Sequence, residues 1–158
     1  MRTEIWLPLA ILAADRITKE LSFRLPDRGL VLIPEVLGLR FVRNRGVAFS
    51  LLSGVPWLPA VLSLLIVLAG ILFLYRKKPR GLARIGLLLM LGGALGNLLD
   101  RLFRGFVPDM IETLFIPFPV FNVADIFLTA GCALVIISLL FRSQDFEAEG
   151  GSGCKNTP

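Results

Sequence analysis

The sequence predicts an all-α membrane protein: four transmembrane helices, with a small extracytoplasmic β-sheet on the loop between the first and second. Three observations lead there. Of 158 residues, 55% are hydrophobic and 18% charged, a balance too apolar for an ordinary soluble domain. The charges collect between long apolar runs instead of alternating along helix faces. Those runs approach the roughly 20 residues that a helix needs to cross a hydrocarbon core of about 30 Å.

The first span, residues 5–22, is the least apolar, because Asp15, Arg16, Lys19 and Glu20 fall in its second half. No small-residue cleavage site follows its apolar stretch, so it reads as a retained helix and not as a cleaved signal peptide. Residues 55–75 form an uncharged second span that contributes no polar group to the membrane interior. The third span, 82–99, contains Gly92 and Gly96, whose spacing of four lets helices approach closely. The fourth, 120–141, begins after Pro117 and Pro119 and is interrupted only by Asp125. The basic cluster Arg76, Lys77, Lys78, Arg80 and Arg84 joins spans two and three. By the positive-inside rule it is cytoplasmic, which puts both termini in the cytoplasm. The outer loop 23–54 carries five arginines, as many basic residues as that cluster, spread over a longer segment. Within it, residues 30–33 and 37–42 read as short strands around Pro34. Two strands are marginal in water and need the membrane surface or the helix ends for support. Residues 1–142 are expected to form one domain and 143–158 a disordered cytoplasmic tail.

The net charge of +5 does not point to nucleic acid, since the basic residues flank apolar segments and form no face with interleaved aromatics. The absence of histidine removes Ser-His and Cys-His triads and leaves a zinc site without imidazole ligands. Cys132 lies in an apolar run and Cys154 in a Gly/Ser-rich tail, settings too unlike for a disulfide framework. Hydrolytic chemistry in this chain falls to carboxylate, lysine or serine.

Ionisable groups at membrane depth are costly, so each needs a partner or a function. Asp15 and Lys19 stand four apart on one helix face and can pair with each other. Asp100 and Arg101 sit at a membrane boundary, where headgroup contact is an ordinary explanation. Asp109 and Asp125 both fall toward the outer face. Two readings of them stand side by side: caps of helix starts, or a close pair sharing a proton around one water. Asn44, Asn97 and Asn122 offer amide groups that could hold a peptide backbone or cap and cross-link helices. A serine nucleophile activated by lysine would have only Lys19 with Ser22 at helical spacing.

Taken together, five segments in order resemble the lipoprotein signal peptidases (signal peptidase II) of bacteria, over the chain to about residue 142. They are Asp15-Arg-Ile-Thr-Lys19, Asn44-Arg-Gly46-Val-Ala-Phe-Ser50, Gly93-Ala-Leu-Gly-Asn97-Leu-Leu-Asp100-Arg101, Val107-Pro-Asp109 and Phe121-Asn122-Val-Ala-Asp125. The resemblance implies an intramembrane aspartyl endopeptidase of the bacterial inner membrane. Its implied substrate is a prolipoprotein whose cysteine already bears a diacylglyceryl group, cleaved on the N-terminal side of that cysteine. It also implies Asp109 and Asp125 as the catalytic pair, with Asn44, Asn97, Arg101 and Asn122 contacting substrate. Asp15, Lys19, Gly46 and Asp100 take supporting roles. The segment before Asp109 is likened to a mobile outer helix. Ile126 departs from the small hydroxyl residue that many members carry after the second aspartate. The expected enzyme is a monomer among membrane lipids and uses no metal or cofactor. The rival reading is a small proton-coupled membrane transporter component, since carboxylates in spans also serve proton relays.

Overall fold

The computed structural model describes residues 5–46 and 57–146. Part of the expected Asn44–Ser50 motif, the start of span two and the tail from residue 147, with Cys154, lie outside the described residues. The chain runs α1 (Trp6–Ser22), β1 (Leu30–Ile33), β2 (Leu37–Asn44), α2 (Leu58–Lys77), α3 (Gly81–Arg104), β3 (Val107–Thr113), α4 (Val123–Phe141) and a short 3-10 helix, Ser143–Phe146.

Among the described residues three helices, α2, α3 and α4, are long and apolar enough to cross a membrane, and the chain is a multi-pass membrane protein. At 17 residues, and with its charged second half, α1 is not among them. The helices stop where the backbone requires it: Lys78 (φ 45°) and Gly105 (φ 72°) take the left-handed conformation after α2 and α3.

The helix α3 is the central element and packs on α1, α2 and α4. Its glycines are divided between two neighbours. A Cβ on Gly86 would lie 2.7 Å from the Gly131 carbonyl oxygen of α4. On Gly92 it would lie 2.9 Å from Ile11 Cβ, and on Gly96 2.5 Å from Asp15 Oδ2, both on α1. The close approach expected of Gly92 and Gly96 is therefore made toward α1. Val67, Leu91, Ala94 and Leu98 form the apolar core between α2 and α3. Long apolar side chains on α2 and α4, among them Leu65, Leu68, Leu139 and Leu140, remain exposed on the outside of the bundle, where hydrocarbon would cover them.

The sheet has three antiparallel strands in the order β1-β2-β3, one more than the outer loop was expected to supply. The third comes from between α3 and α4. This corrects the helical reading of the residues leading to Asp109: Val107 and Pro108 are already strand. Two strands of such length need a further partner, and β3 provides it, with Val42 opposite Asp109 and Asn44 opposite Val107.

At the far end of the bundle, the first residues of the expected tail are ordered. Asp145 accepts hydrogen bonds from Leu82 N (3.0 Å) and Ser138 Oγ (2.8 Å), and its own carbonyl accepts from Arg80 N (2.8 Å). It thereby serves the orphan amides at the start of α3 in place of a local cap. The Ser138 hydroxyl above all, with the α3 amides and Arg142, holds the Asp145 carboxyl below the usual aspartate range.

Candidate active site

The site forms where α3 ends, α4 begins and β3 runs between them. The segment 114–120 leaves β3 and returns to it. Ile111 N donates to Phe121 O (2.8 Å) and Phe121 N to Ile111 O (3.0 Å), which pins the residue before α4 onto the strand two positions from Asp109. The next residue, Asn122, is the N-cap of α4, and Asp125 closes a capping box with it. Asp125 N donates to Asn122 Oδ1 (3.0 Å) and Asn122 N donates to Asp125 Oδ2 (3.1 Å). Of the two readings of Asp125, the capping one holds locally, because the helix begins only at Val123. Asp125 caps and also faces the cavity.

Asn122 joins the two carboxylates. Its Nδ2 donates to Asp109 Oδ1 (2.6 Å) while its Oδ1 serves the Asp125 amide. The other oxygen of Asp109 accepts from Asn44 Nδ2 (2.9 Å), at the end of β2. The other oxygen of Asp125 accepts from Asn97 Nδ2 (2.7 Å), on α3. Both aspartates, the three asparagines and Arg101 line a cavity of about 760 Å³ whose remaining wall is largely apolar, with Ile66, Phe118 and Leu128. Such a volume suits an extended peptide segment with apolar side chains.

Burial pushes the Asp109 carboxyl up from 3.8 to about 6, and the negative charge of Asp125 adds to the rise. The amides of Asn122 and Asn44 pull it back part of the way. A carboxyl poised near neutrality is the usual equipment of a general acid or base.

Arg101 lies one turn beyond Asn97 on α3. It donates to Asn97 O (3.2 Å), Gly46 O (3.2 Å) and Ser63 Oγ (3.3 Å). It therefore ties α3 to the loop after β2 and to α2. Gly46 N in turn donates to Asn44 Oδ1 (3.0 Å), which orients the Asn44 amide toward Asp109. Ser63 corrects the view of α2 as a helix without a polar group: its Oγ bonds back to Pro59 O (2.8 Å) and faces Arg101. A lone serine in an apolar helix was the available signal.

Behind the cavity, α1 and α3 share a buried ion cluster. Lys19 pairs with Asp15 and Asp100, each at 2.7 Å, and all three side chains are fully buried. Asp100 also pairs with Arg16 (2.7 Å) and Arg104 (3.5 Å), and Arg104 pairs with Glu20. Asp100 is thus an interior ion and not the headgroup contact expected at a boundary, because the glycines of α3 admit α1 so closely. Asp15 also accepts from Ala124 N (3.0 Å) at the start of α4. Ser22 donates to its own helix at Lys19 O (2.7 Å), and the Lys19 ammonium is engaged elsewhere, so the two make no nucleophile and base.

A membrane body that opens a cleft onto two amide-braced carboxylates has the arrangement of a membrane-embedded aspartic peptidase. The chain belongs to the signal peptidase II family, whose model, described as "Signal peptidase (SPase) II", matches residues 7–141. It is 41% identical to the lipoprotein signal peptidase of Latilactobacillus sakei subsp. sakei (strain 23K) over 143 residues, covering 89% of this chain and 95% of that one. It is also 41% identical to the lipoprotein signal peptidase of Geobacillus kaustophilus (strain HTA426) over 141 residues, covering 86% and 92%. Among solved structures, a bacterial membrane enzyme determined by the in meso method at 2.3 Å superposes with a TM-score of 0.83 at 29% identity, covering 94% of each chain. A second, at 1.9 Å, gives 0.80 at 31% identity, covering 90% of this chain and 95% of that one.

Proposed function

We propose that this peptidase removes the signal peptide from diacylglyceryl-modified prolipoproteins, cutting N-terminal to the lipidated cysteine, with Asp109 and Asp125 as the catalytic pair. The observation that carries the reading is Asn122, one side chain that bonds Asp109 directly and the Asp125 backbone at the same time. It keeps the two carboxylates at one end of one cavity. The ionised member takes a proton from a water between them as that water attacks the scissile carbonyl. The protonated member donates a hydrogen bond to the carbonyl oxygen and then supplies the proton that the leaving amine needs. No covalent intermediate is required. Asn44, Asn97, Asn122 and Arg101 keep the carboxylates in place and offer the nearest polar contacts to a bound peptide. The apolar wall suits acyl chains and the apolar signal segment.

In this reading the chain crosses the bacterial inner membrane four times as a monomer surrounded by lipid, with α1 as the additional span. Its buried charges are tolerable there because they pair with one another. Residues 1–142 work as one unit. The basic segment between α2 and α3 lies in the cytoplasm with both termini, so the sheet and the cavity open toward the outer face.

Cleavage of a lipidated precursor by the purified chain in detergent, compared with the unlipidated precursor, tests the reading. Asp109→Asn and Asp125→Asn should each abolish cleavage while the protein stays folded. Full activity in either variant, or equal cleavage of both precursors, would refute it. Transport driven by a proton gradient in vesicles, lost on either substitution while neither precursor is cleaved, would favour the transporter reading.

A further inference from the structure

The geometry points to Lys19 as a positioning residue for the cleavage reaction, acting through the Asn97 amide on Asp125. The inference rests on the proposed role of Asp125 and extends it to a residue that does not line the cavity.

An ammonium has three N–H donors and no acceptor. Lys19 forms ion pairs with Asp15 Oδ2 and Asp100 Oδ2, both at 2.7 Å, and donates a hydrogen bond to Asn97 Oδ1 at 3.0 Å. An ion cluster serving only to join α1 to α3 would be complete with the first two. The third contact does something different. A primary amide can sit either way round, and its partners decide which. An ammonium facing Asn97 can face only its oxygen, so Asn97 Nδ2 must turn the opposite way, where it donates to Asp125 Oδ1 at 2.7 Å. Asn122 Nδ2 supports the same orientation, but at 3.3 Å and without charge. The charge-assisted bond is the stronger of the two. It also polarises the amide, which strengthens the donation to Asp125 at the other end. Lys19 thus reaches the carboxylate through one intervening side chain while remaining fully buried.

Removing this influence should lower turnover and leave substrate binding alone. Lys19→Met strands two buried carboxylates. Asp100 keeps Arg16 and Arg104, whereas Asp15, among the described residues, keeps only the Ala124 amide. The pair Lys19→Met/Asp15→Asn therefore removes one charge of each sign and preserves that amide contact. Both variants, each with and without Asn97→Ala, would be assayed as full-length protein in detergent for kcat and KM on the lipidated precursor, with folded fractions taken from melting curves. A charge-assisted bond of this kind corresponds to a fall in kcat of about 10- to 100-fold, with KM changed less than about twofold. In the Asn97→Ala background the same substitutions should change kcat less than about twofold, because the route runs through that amide. An unchanged kcat in a folded variant, an equal loss in both backgrounds, or failure of both variants to fold would overturn the inference and leave Lys19 a packing residue. Asp125→Asn, run in parallel, separates the two readings. If it still cleaves, the catalytic pair itself is wrong. If it is inactive while the Lys19 variants are fully active, only the positioning role falls.

Discussion

Asp109→Asn should make the protein inactive and, at alkaline pH, more stable. In the folded protein burial raises the Asp109 carboxyl from 3.8 to about 6. At about 1.4 kcal/mol for each pH unit, keeping it ionised in the fold costs about 3 kcal/mol. The folded state binds this proton more tightly than the unfolded chain. The Asp109 contribution to stability is therefore fully present below 3.8 and is lost as the pH rises through about 6. Asparagine has the same shape and carries no charge, so it escapes that loss. It accepts from only one of Asn44 and Asn122 where aspartate accepts from both, which forfeits about 1 to 2 kcal/mol. The balance at pH 8 favours the variant by about 1 to 2 kcal/mol, whereas at pH 4 the variant is the less stable of the two. Denaturation in detergent at both pH values, alongside the cleavage assay, measures the crossover. A melting difference that is the same at pH 4 and pH 8, or a variant less stable at pH 8, would refute the account of Asp109 as a carboxyl strained by burial.

Other expectations follow from packing and capping. Gly86→Val drives a side chain into the Gly131 carbonyl, where even a Cβ would sit at 2.7 Å. It should cost about 1 to 3 kcal/mol and separate α3 from α4, and an unchanged melting temperature would contradict the close approach. Asp145→Ala removes the acceptor for the first amides of α3. It should lower the melting temperature while leaving kcat intact, since it lies at the far end of the bundle from Asp109; a loss of turnover without loss of stability would be the contrary result. The initial rate of the native chain should show an ionisation near pH 6, and a flat profile between pH 5 and 8 would argue that this carboxyl does not change state during turnover.

Hydropathy located the helices to within a few residues, because a long apolar run has few other solutions. Span three ran from 82 to 99 in the sequence and Gly81–Arg104 in the structure. The strand that carries Asp109 was not legible, since seven residues containing a proline show little periodicity of their own and become a strand only by pairing with β2. The start of α4 was placed too early, which hid the capping box and made Asp125 look deeper in its helix than it is. Asp15 with Lys19 was readable from a spacing of four. The bond from Lys19 to Asn97 spans 78 positions, and no local pattern encodes a contact of that range. The asparagines stood out as amides in apolar surroundings. Which of them faces a carboxylate depended on how the helices cross.

The hydrogen-bonded bridge between Ile111 and Phe121 also has a consequence for engineering. Beyond Thr113, the segment that closes on it begins with a turn whose Phe115 and Ile116 point largely outward, ahead of the cavity-lining Phe118. Both ends of the turn are fastened by the bridge, so its length can vary while Asp109 and Asn122 keep their separation. A reporter group grafted there would sit beside the mouth of the cleft and sense what enters it, leaving the chemistry behind the bridge undisturbed.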